Sequence, residues 1–151
     1  MLSITRRLEF DAGHRIPNHQ GQCVNLHGHR YVLELTLAGQ MNSHSGAAEE
    51  GMLMDFGQIK VLAQQHLVEK WDHAFLVYRG DQVIVDFLAG MPAHKTVVLD
   101  CVPTVENLAQ LAYRILAPVF SLGFAQQLFL QRLRIYETPN CWAEVCADSI
   151  N

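Results

Sequence analysis

The feature that most constrains this chain is the stretch Cys23-Val24-Asn25-Leu26-His27-Gly28-His29, which brings one thiol and two imidazoles together directly ahead of the best strand pattern in the sequence. In the run from Tyr31 to Ala38, Tyr31, Leu33, Leu35 and Leu37 point one way while Glu34 and Thr36 point the other, the period-two signal of a half-buried strand. If the strand begins near His27, then His27 and His29 project from the same face and both can reach one ion. Gly28 between them carries no side chain to crowd that ion. A pair of strand histidines sharing a metal is the first expectation. On spacing alone Cys23 has two readings: a fourth ligand that closes a structural site, or a free thiol beside the metal that acts as base or nucleophile.

The segment before this stretch supplies a third imidazole. Leu2 to Phe10 reads as a strand that leads into Asp11-Ala12-Gly13-His14. A loop over 15–22, punctuated by Pro17, Asn18 and Gly21, then brings the chain round so that His14 lies beside the second strand. Three neutral imidazoles that leave a fourth position open are the ligand pattern of catalytic zinc; the ordinary alternative is polar strand histidines with no ligand role.

Further along, 40–51 reads as a surface loop or hairpin tip. Asp55 caps a helix from Phe56 to Lys70, with Ile59, Leu62, Ala63, His66 and Leu67 on its apolar face, and Trp71-Asp72-His73 follows. The connection 81–100 is expected to be irregular, although it holds the β-branched run Thr96-Val97-Val98. Thr104 caps a second helix in which Leu108, Leu111, Ala112, Ile115 and Leu116 keep the helical period and Pro118 ends or bends it. Leu128–Thr138 and Cys141–Ala147 form a hairpin about Pro139-Asn140. The order of elements gives an α+β fold, a four-stranded antiparallel sheet with two helices on one face. Its open edges make pairing with other subunits an expectation.

Composition narrows the partners. With 151 residues, half of them hydrophobic, the chain (1–151) fits one domain. A formal net charge of −4 and no basic stripe argue against nucleic acid as the main partner. No apolar run approaches the roughly 20 residues needed to span a bilayer, so no membrane association is expected. The four cysteines lack a compact spacing and Met1 is followed by no leader-like segment; free thiols in a cytoplasmic protein follow. Cys101, Cys141 and Cys146 read as packing residues.

Asp72 and His73 are adjacent, so their side chains diverge unless the backbone turns. Together with Cys23 they could form a proton relay, or His73 could simply complement a helix C-terminus. Glu137, at a strand end before a turn, and Glu106, in a helix first turn, both have surface explanations. His19, His44, His66 and His94 are given no role.

These pieces, in order, resemble the superfamily of 6-pyruvoyltetrahydropterin and 6-carboxytetrahydropterin synthases. The resemblance rests on Phe10-Asp11-Ala12-Gly13-His14-Arg15, Cys23-x3-His27-Gly28-His29, Gly51-Met52-Leu53-Met54-Asp55-Phe56, Asp72-His73, Pro103-Thr104-Val105-Glu106-Asn107-Leu108-Ala109 and Tyr136-Glu137-Thr138, which span almost the whole chain. It implies a tunnelling fold, with the sheets of several subunits joined into a barrel, usually a homohexamer of two stacked trimers with sites at subunit interfaces. It also implies Zn2+ held by His14, His27 and His29, Cys23 as the catalytic thiol, and Asp72 and His73 completing a relay across a subunit boundary. Glu137 matches the carboxylate that anchors the pterin, a role that suits a group able to accept two parallel hydrogen bonds. Thr104 and Glu106 match positions near the pterin pocket.

The short Cys-x3-His spacing resembles the carboxy-forming enzymes of queuosine (7-deazaguanine) biosynthesis. Those are zinc-dependent carbon–carbon lyases that convert 7,8-dihydroneopterin triphosphate to 6-carboxy-5,6,7,8-tetrahydropterin, acetaldehyde and triphosphate. A pyruvoyl-forming synthase, which keeps the side-chain carbons, and a non-catalytic zinc-stabilised assembly module remain the alternatives.

Overall fold

The computed structural model describes residues 1–122 and 128–147. Two long strands, β1 (Leu2–His14) and β2 (His27–Gly39), form its spine, joined by a loop containing a short 3-10 turn at Gln22–Val24. They pair antiparallel over their whole length, from Leu2 opposite Gly39 to His14 opposite His27. The alternation in β2 settles this register: Tyr31, Leu33, Leu35 and Leu37 are fully buried on the face that meets Leu8 and Phe10 of β1. A one-residue slip would turn that whole row to the other face.

The chain continues through a surface loop closed by Gly51 N–H donating to the Asn42 carbonyl (2.8 Å). The helix α1 (Phe56–Ala63) follows, with Asp55 accepting from the Gly57 N–H as its cap. It runs on through a π-helical turn (Gln64–Val68) into α2 (Glu69–Trp71). Next come β3 (Ala74–Tyr78), α3 (Gln82–Ala89), β4 (Thr96–Leu99), α4 (Val105–Leu122), β5 (Leu128–Thr138) and β6 (Cys141–Cys146). No helix among the described residues is long and apolar enough to cross a membrane.

The sheet has six strands in the order β4-β3-β1-β2-β5-β6. Four of them, β1, β2, β5 and β6, are the expected antiparallel set. The expectation of a four-stranded antiparallel sheet is corrected by β3 and β4, which add to the β1 edge in parallel and make the sheet mixed. Both are short and apolar, Ala-Phe-Leu-Val-Tyr and Thr-Val-Val-Leu. Such runs carry no alternation to read; the connection 81–100, expected to be irregular, in fact holds both α3 and β4.

Two helical units were expected on one face, and a third lies on the other. α1, the π-helical turn, α2 and α4 contribute Ile59, Leu67, Trp71, Leu108, Leu116 and Phe120 to the main core. By contrast Ile84 and Leu88 of α3 pack with Val77 and Phe75, the β3 side chains that face away from that core. His66 is exposed rather than part of an apolar stripe. The π-helical turn inserts an extra residue there, so Leu67 and Val68 are the buried pair. Pro118 does not end α4; it sits exposed within the helix, which continues to Leu122.

At the end of the spine the backbones come unusually close. Gly28 lies opposite Gly13, and a Cβ on Gly28 would stand 3.0 Å from the Ala12 carbonyl oxygen. A side chain there would press on backbone, which cannot swing away. Gly28→Ala is expected to cost about 1–3 kcal/mol in equilibrium urea unfolding, as overpacking does; wild-type stability in that variant would contradict the close approach.

Candidate metal centre

The β1–β2 register places His14 opposite His27 and Ala12 opposite His29, so three imidazoles gather on the helix-covered face where the two strands end. Ring centroids are 4.5 Å (His14–His27), 4.9 Å (His27–His29) and 5.1 Å (His14–His29) apart. One ligand atom from each lies within 4.8 Å of the others.

Two backbone carbonyls fix the chemistry of these rings. His14 Nδ1 is 2.8 Å from the Pro103 oxygen and His27 Nδ1 is 2.7 Å from the Asn25 oxygen. A carbonyl can only accept, so each Nδ1 carries the hydrogen and each neutral ring presents a bare lone pair at Nε2. Those two Nε2 atoms stand 3.1 Å apart. Two lone pairs at that distance repel unless a cation lies between them. Near them His29 Nε2 is buried without a hydrogen-bond partner, although Glu137 Oε1 is 3.4 Å away at ion-pair range. Burial pushes the His14 pKa down to about 4, with the other two histidines adding to the shift against the Pro103 bond. Burial also lowers that of His29, against the pull of Glu137. Two rings resist protonation and three nitrogens converge: the donor set fits a metal that takes neutral imidazole.

Glu137 is not at the surface as a strand-end carboxylate usually is. Its Oε1 lies 3.3 Å from His14 Nε2, so it faces the same centre from β5. Tyr31 closes the floor, with its hydroxyl 3.3 Å from His14 Nδ1. Burial, then the nearby Glu137 and Cys23, push the Tyr31 hydroxyl well above the ordinary phenol range. Cys23 is half-buried in the 3-10 turn, its carbonyl accepting from the Ile16 N–H at 2.8 Å. Its sulfur is not among the converging ligand atoms, which are imidazole nitrogens alone.

Asp72 and His73 do meet each other, because the backbone turns. His73 adopts φ 59°, a left-handed conformation that costs a non-glycine residue energy and needs support from its surroundings. That support is the Asp11 backbone: its carbonyl accepts from the His73 N–H (2.6 Å) and its N–H donates to Asp72 Oδ1 (2.9 Å). The result is a His73 Nδ1 to Asp72 Oδ2 contact of 2.9 Å. Although burial opposes it, the Asp11 N–H and the His73 ring hold Asp72 below the usual carboxylate range. His73, 77% exposed, borders a hollow with Asp11, Gly13, Gly28 and His29, and Asp72 stands behind it. Within one chain neither Asp72 nor His73 is among the converging ligand atoms, which belong to His14, His27 and His29.

Thr104 caps α4, its hydroxyl accepting from the Asn107 N–H (3.3 Å), and Glu106 is exposed in the first turn. What brings this motif to the cluster is the Pro103 carbonyl. Backbone acceptors leave no side-chain signature, so neither Pro103 nor Asn25 was predictable as a contributor. Tyr31 read only as a core strand residue, and its hydroxyl's place beside His14 follows from the register. Arg15 and Asp81 were also missed: they form a two-bond ion pair (2.6 and 2.7 Å) that ties the residue after His14 to the start of α3. Asp81 lies in the connection that had no readable pattern.

Comparison with known proteins places the chain among relatives of similar length. The family model described as 6-pyruvoyl tetrahydropterin synthase matches residues 3–148. Among curated relatives, the 6-carboxy-5,6,7,8-tetrahydropterin synthase of Rickettsia bellii is 42% identical over 146 residues, covering 96% of this chain and 100% of the relative. The protein of the same name from Haemophilus influenzae is 27% identical over 147 residues, covering 95% and 98%. Among solved structures, an uncharacterized protein of Wolinella succinogenes has a TM-score of 0.77 at 20% identity, covering 97% and 98% of the two chains. The 6-pyruvoyl tetrahydropterin synthase of Caenorhabditis elegans has a TM-score of 0.66 at 23% identity, covering 97% and 95%. With nearly its whole length matched by the family model, the chain belongs to the 6-pyruvoyl tetrahydropterin synthase family.

Proposed function

We propose that this chain is a 6-carboxy-5,6,7,8-tetrahydropterin synthase, a zinc-dependent carbon–carbon lyase that converts 7,8-dihydroneopterin triphosphate with loss of acetaldehyde and triphosphate, in the cytoplasmic route to queuosine. The observation that carries the reading is the pair of bare Nε2 atoms of His14 and His27 at 3.1 Å, joined by the buried Nε2 of His29, which makes no hydrogen bond. Support for the carboxy-forming branch comes from relatives of that name at 38–42% identity over nearly the full chain. The three-residue spacing between Cys23 and His27 agrees with it.

On this reading His14, His27 and His29 hold Zn2+, which supplies Lewis-acid polarisation of the side-chain oxygens of the substrate. Cys23, outside the ligand set, would act as the base that takes a proton from the substrate side chain. His73, held by Asp72, returns a proton. Its exposure supports a site completed by a neighbouring copy, and the edge strands β4 and β6 are where copies could pair into the homohexamer. An open cavity of about 570 Å3, bordered by His29, Tyr136 and Glu137, offers room for the ring system. Glu137 would receive the pterin N–H groups; Thr104 and Glu106, at the start of α4, keep the substrate-binding role that the resemblance implies, although neither lines this cavity.

Incubation of the zinc-loaded protein with dihydroneopterin triphosphate should release acetaldehyde and 6-carboxytetrahydropterin; a pyruvoyl product that keeps all side-chain carbons would refute the carboxy-forming assignment. Cys23→Ala should reduce turnover by at least about 100-fold, the scale of a lost general base, with zinc near one per chain. Loss of zinc from that variant would restore the closed structural site.

Glu137→Gln separates two uses of the carboxylate. If it anchors the pterin, KM should rise much more than kcat falls. A collapse of kcat at constant KM would instead tie Glu137 to the histidine centre it leans on.

The depressed His14 pKa gives a sign for pH dependence. Its folded value, about 4, lies below the ordinary 6.5, so acid protonates the unfolded chain first. Stability from this group is complete above about 6.5 and is lost as pH falls toward about 4, by up to about 1.4 kcal/mol per pH unit. Metal-free protein should therefore lose thermal stability between pH 7 and pH 5 more steeply than metal-free His14→Asn; parallel curves would contradict a buried neutral ring.

A further inference from the structure

We propose that Asn107 is a positioning residue for the metal centre, acting through the turn whose Pro103 carbonyl orients His14. The inference rests on the metal-binding reading of the three histidines.

The contact that fixes His14 spans 89 positions of sequence, and its acceptor sits on a turn just before α4. Pro103 has no N–H of its own to anchor that turn. The Val102 carbonyl anchors it instead, accepting from the Asn107 side-chain Nδ2 (2.8 Å) and from the Thr104 N–H (2.8 Å). Asn107 thus holds the turn from inside the helix, at the third helical position after the Thr104 cap.

Helix energetics alone do not explain an asparagine there. It is a poor helix former, and first turns favour acidic side chains, with Glu or Gln usual at this position of a capping box. What asparagine adds is a short side chain with an N–H donor aimed at Val102. Without that donor the turn is held by one bond fewer, and the Pro103 oxygen is free to drift from His14 Nδ1. A His14 ring released from it can rotate or move its proton to Nε2, and in either case the ligand lone pair is lost.

Asn107→Asp tests this. The substitution is nearly isosteric and suits the positive end of α4, but it cannot donate to Val102. Zinc affinity, measured by competition with a chromophoric chelator, should fall about tenfold, the lower range for an outer-shell partner, and the visible spectrum of the Co2+ form should change. Thermal unfolding of the metal-free variant should match wild type. Thr104→Ala, which removes the cap hydroxyl but keeps the Asn107–Val102 bond, should bind zinc within about twofold of wild type.

Wild-type zinc affinity in Asn107→Asp would overturn the proposal. So would an equal loss in Thr104→Ala, or a large drop in metal-free stability of Asn107→Asp, because either would make the effect one of general helix weakening. If the wild-type chain itself binds no zinc, the metal-binding reading fails first and takes this inference with it.

Discussion

The register of β1 against β2 sets His14 opposite His27, and two backbone carbonyls then decide what those rings are. Because the Pro103 and Asn25 carbonyls can only accept, both Nδ1 atoms are donors and both Nε2 atoms meet as acceptors. A cluster of exposed histidines would relieve such a contact by protonation, but burial holds His14 neutral to about pH 4. The fold therefore maintains an arrangement that a shared cation would satisfy. Leucine packing along the spine supplies the rigidity: Leu33, Leu35 and Leu37 are fully buried, each worth about 1.5–3 kcal/mol, and they allow no slip.

The two halves of the proposed chemistry stand apart in one chain. The helix-covered face carries the three histidines, Tyr31 and Glu137, while the Asp72–His73 pair lies beside the Asp11–Arg30 ion pair, outside the ligand set. Gly13 and Gly28 keep the backbones close. An Asp–His unit held by a strained φ and two bonds to Asp11 is too well supported to be incidental. Its absence from its own cluster's ligand set is what the proposal of a site completed by a neighbouring copy rests on.

Much of the site was legible because metal ligands must be side chains of a few types at strand spacing. His27 and His29 follow from period two, and His14 from a strand ending where the next begins. The β5–β6 hairpin was equally plain from Pro139-Asn140 between two strand-like runs. What escaped had no pattern to leave. β3 and β4 are short apolar runs, α3 is a helix on the less populated face, and the π-helical turn at Gln64–Val68 shifts a face by one residue, exposing His66. The Pro103 and Asn25 carbonyls are backbone atoms, invisible in residue type. The inward turn of Glu137 depends on β5 pairing with β2, a contact about a hundred residues apart in sequence whose register no local signal predicts.

The central claim is an open three-histidine zinc centre with Cys23 outside the ligand set. X-ray absorption at the zinc edge of the purified, metal-loaded protein tests it most directly. The account predicts one zinc per chain, with imidazole nitrogen scatterers at about 2.0–2.1 Å and a light-atom ligand completing the shell. A sulfur scatterer at about 2.3 Å would make Cys23 a ligand and the site a closed structural one, contradicting the account.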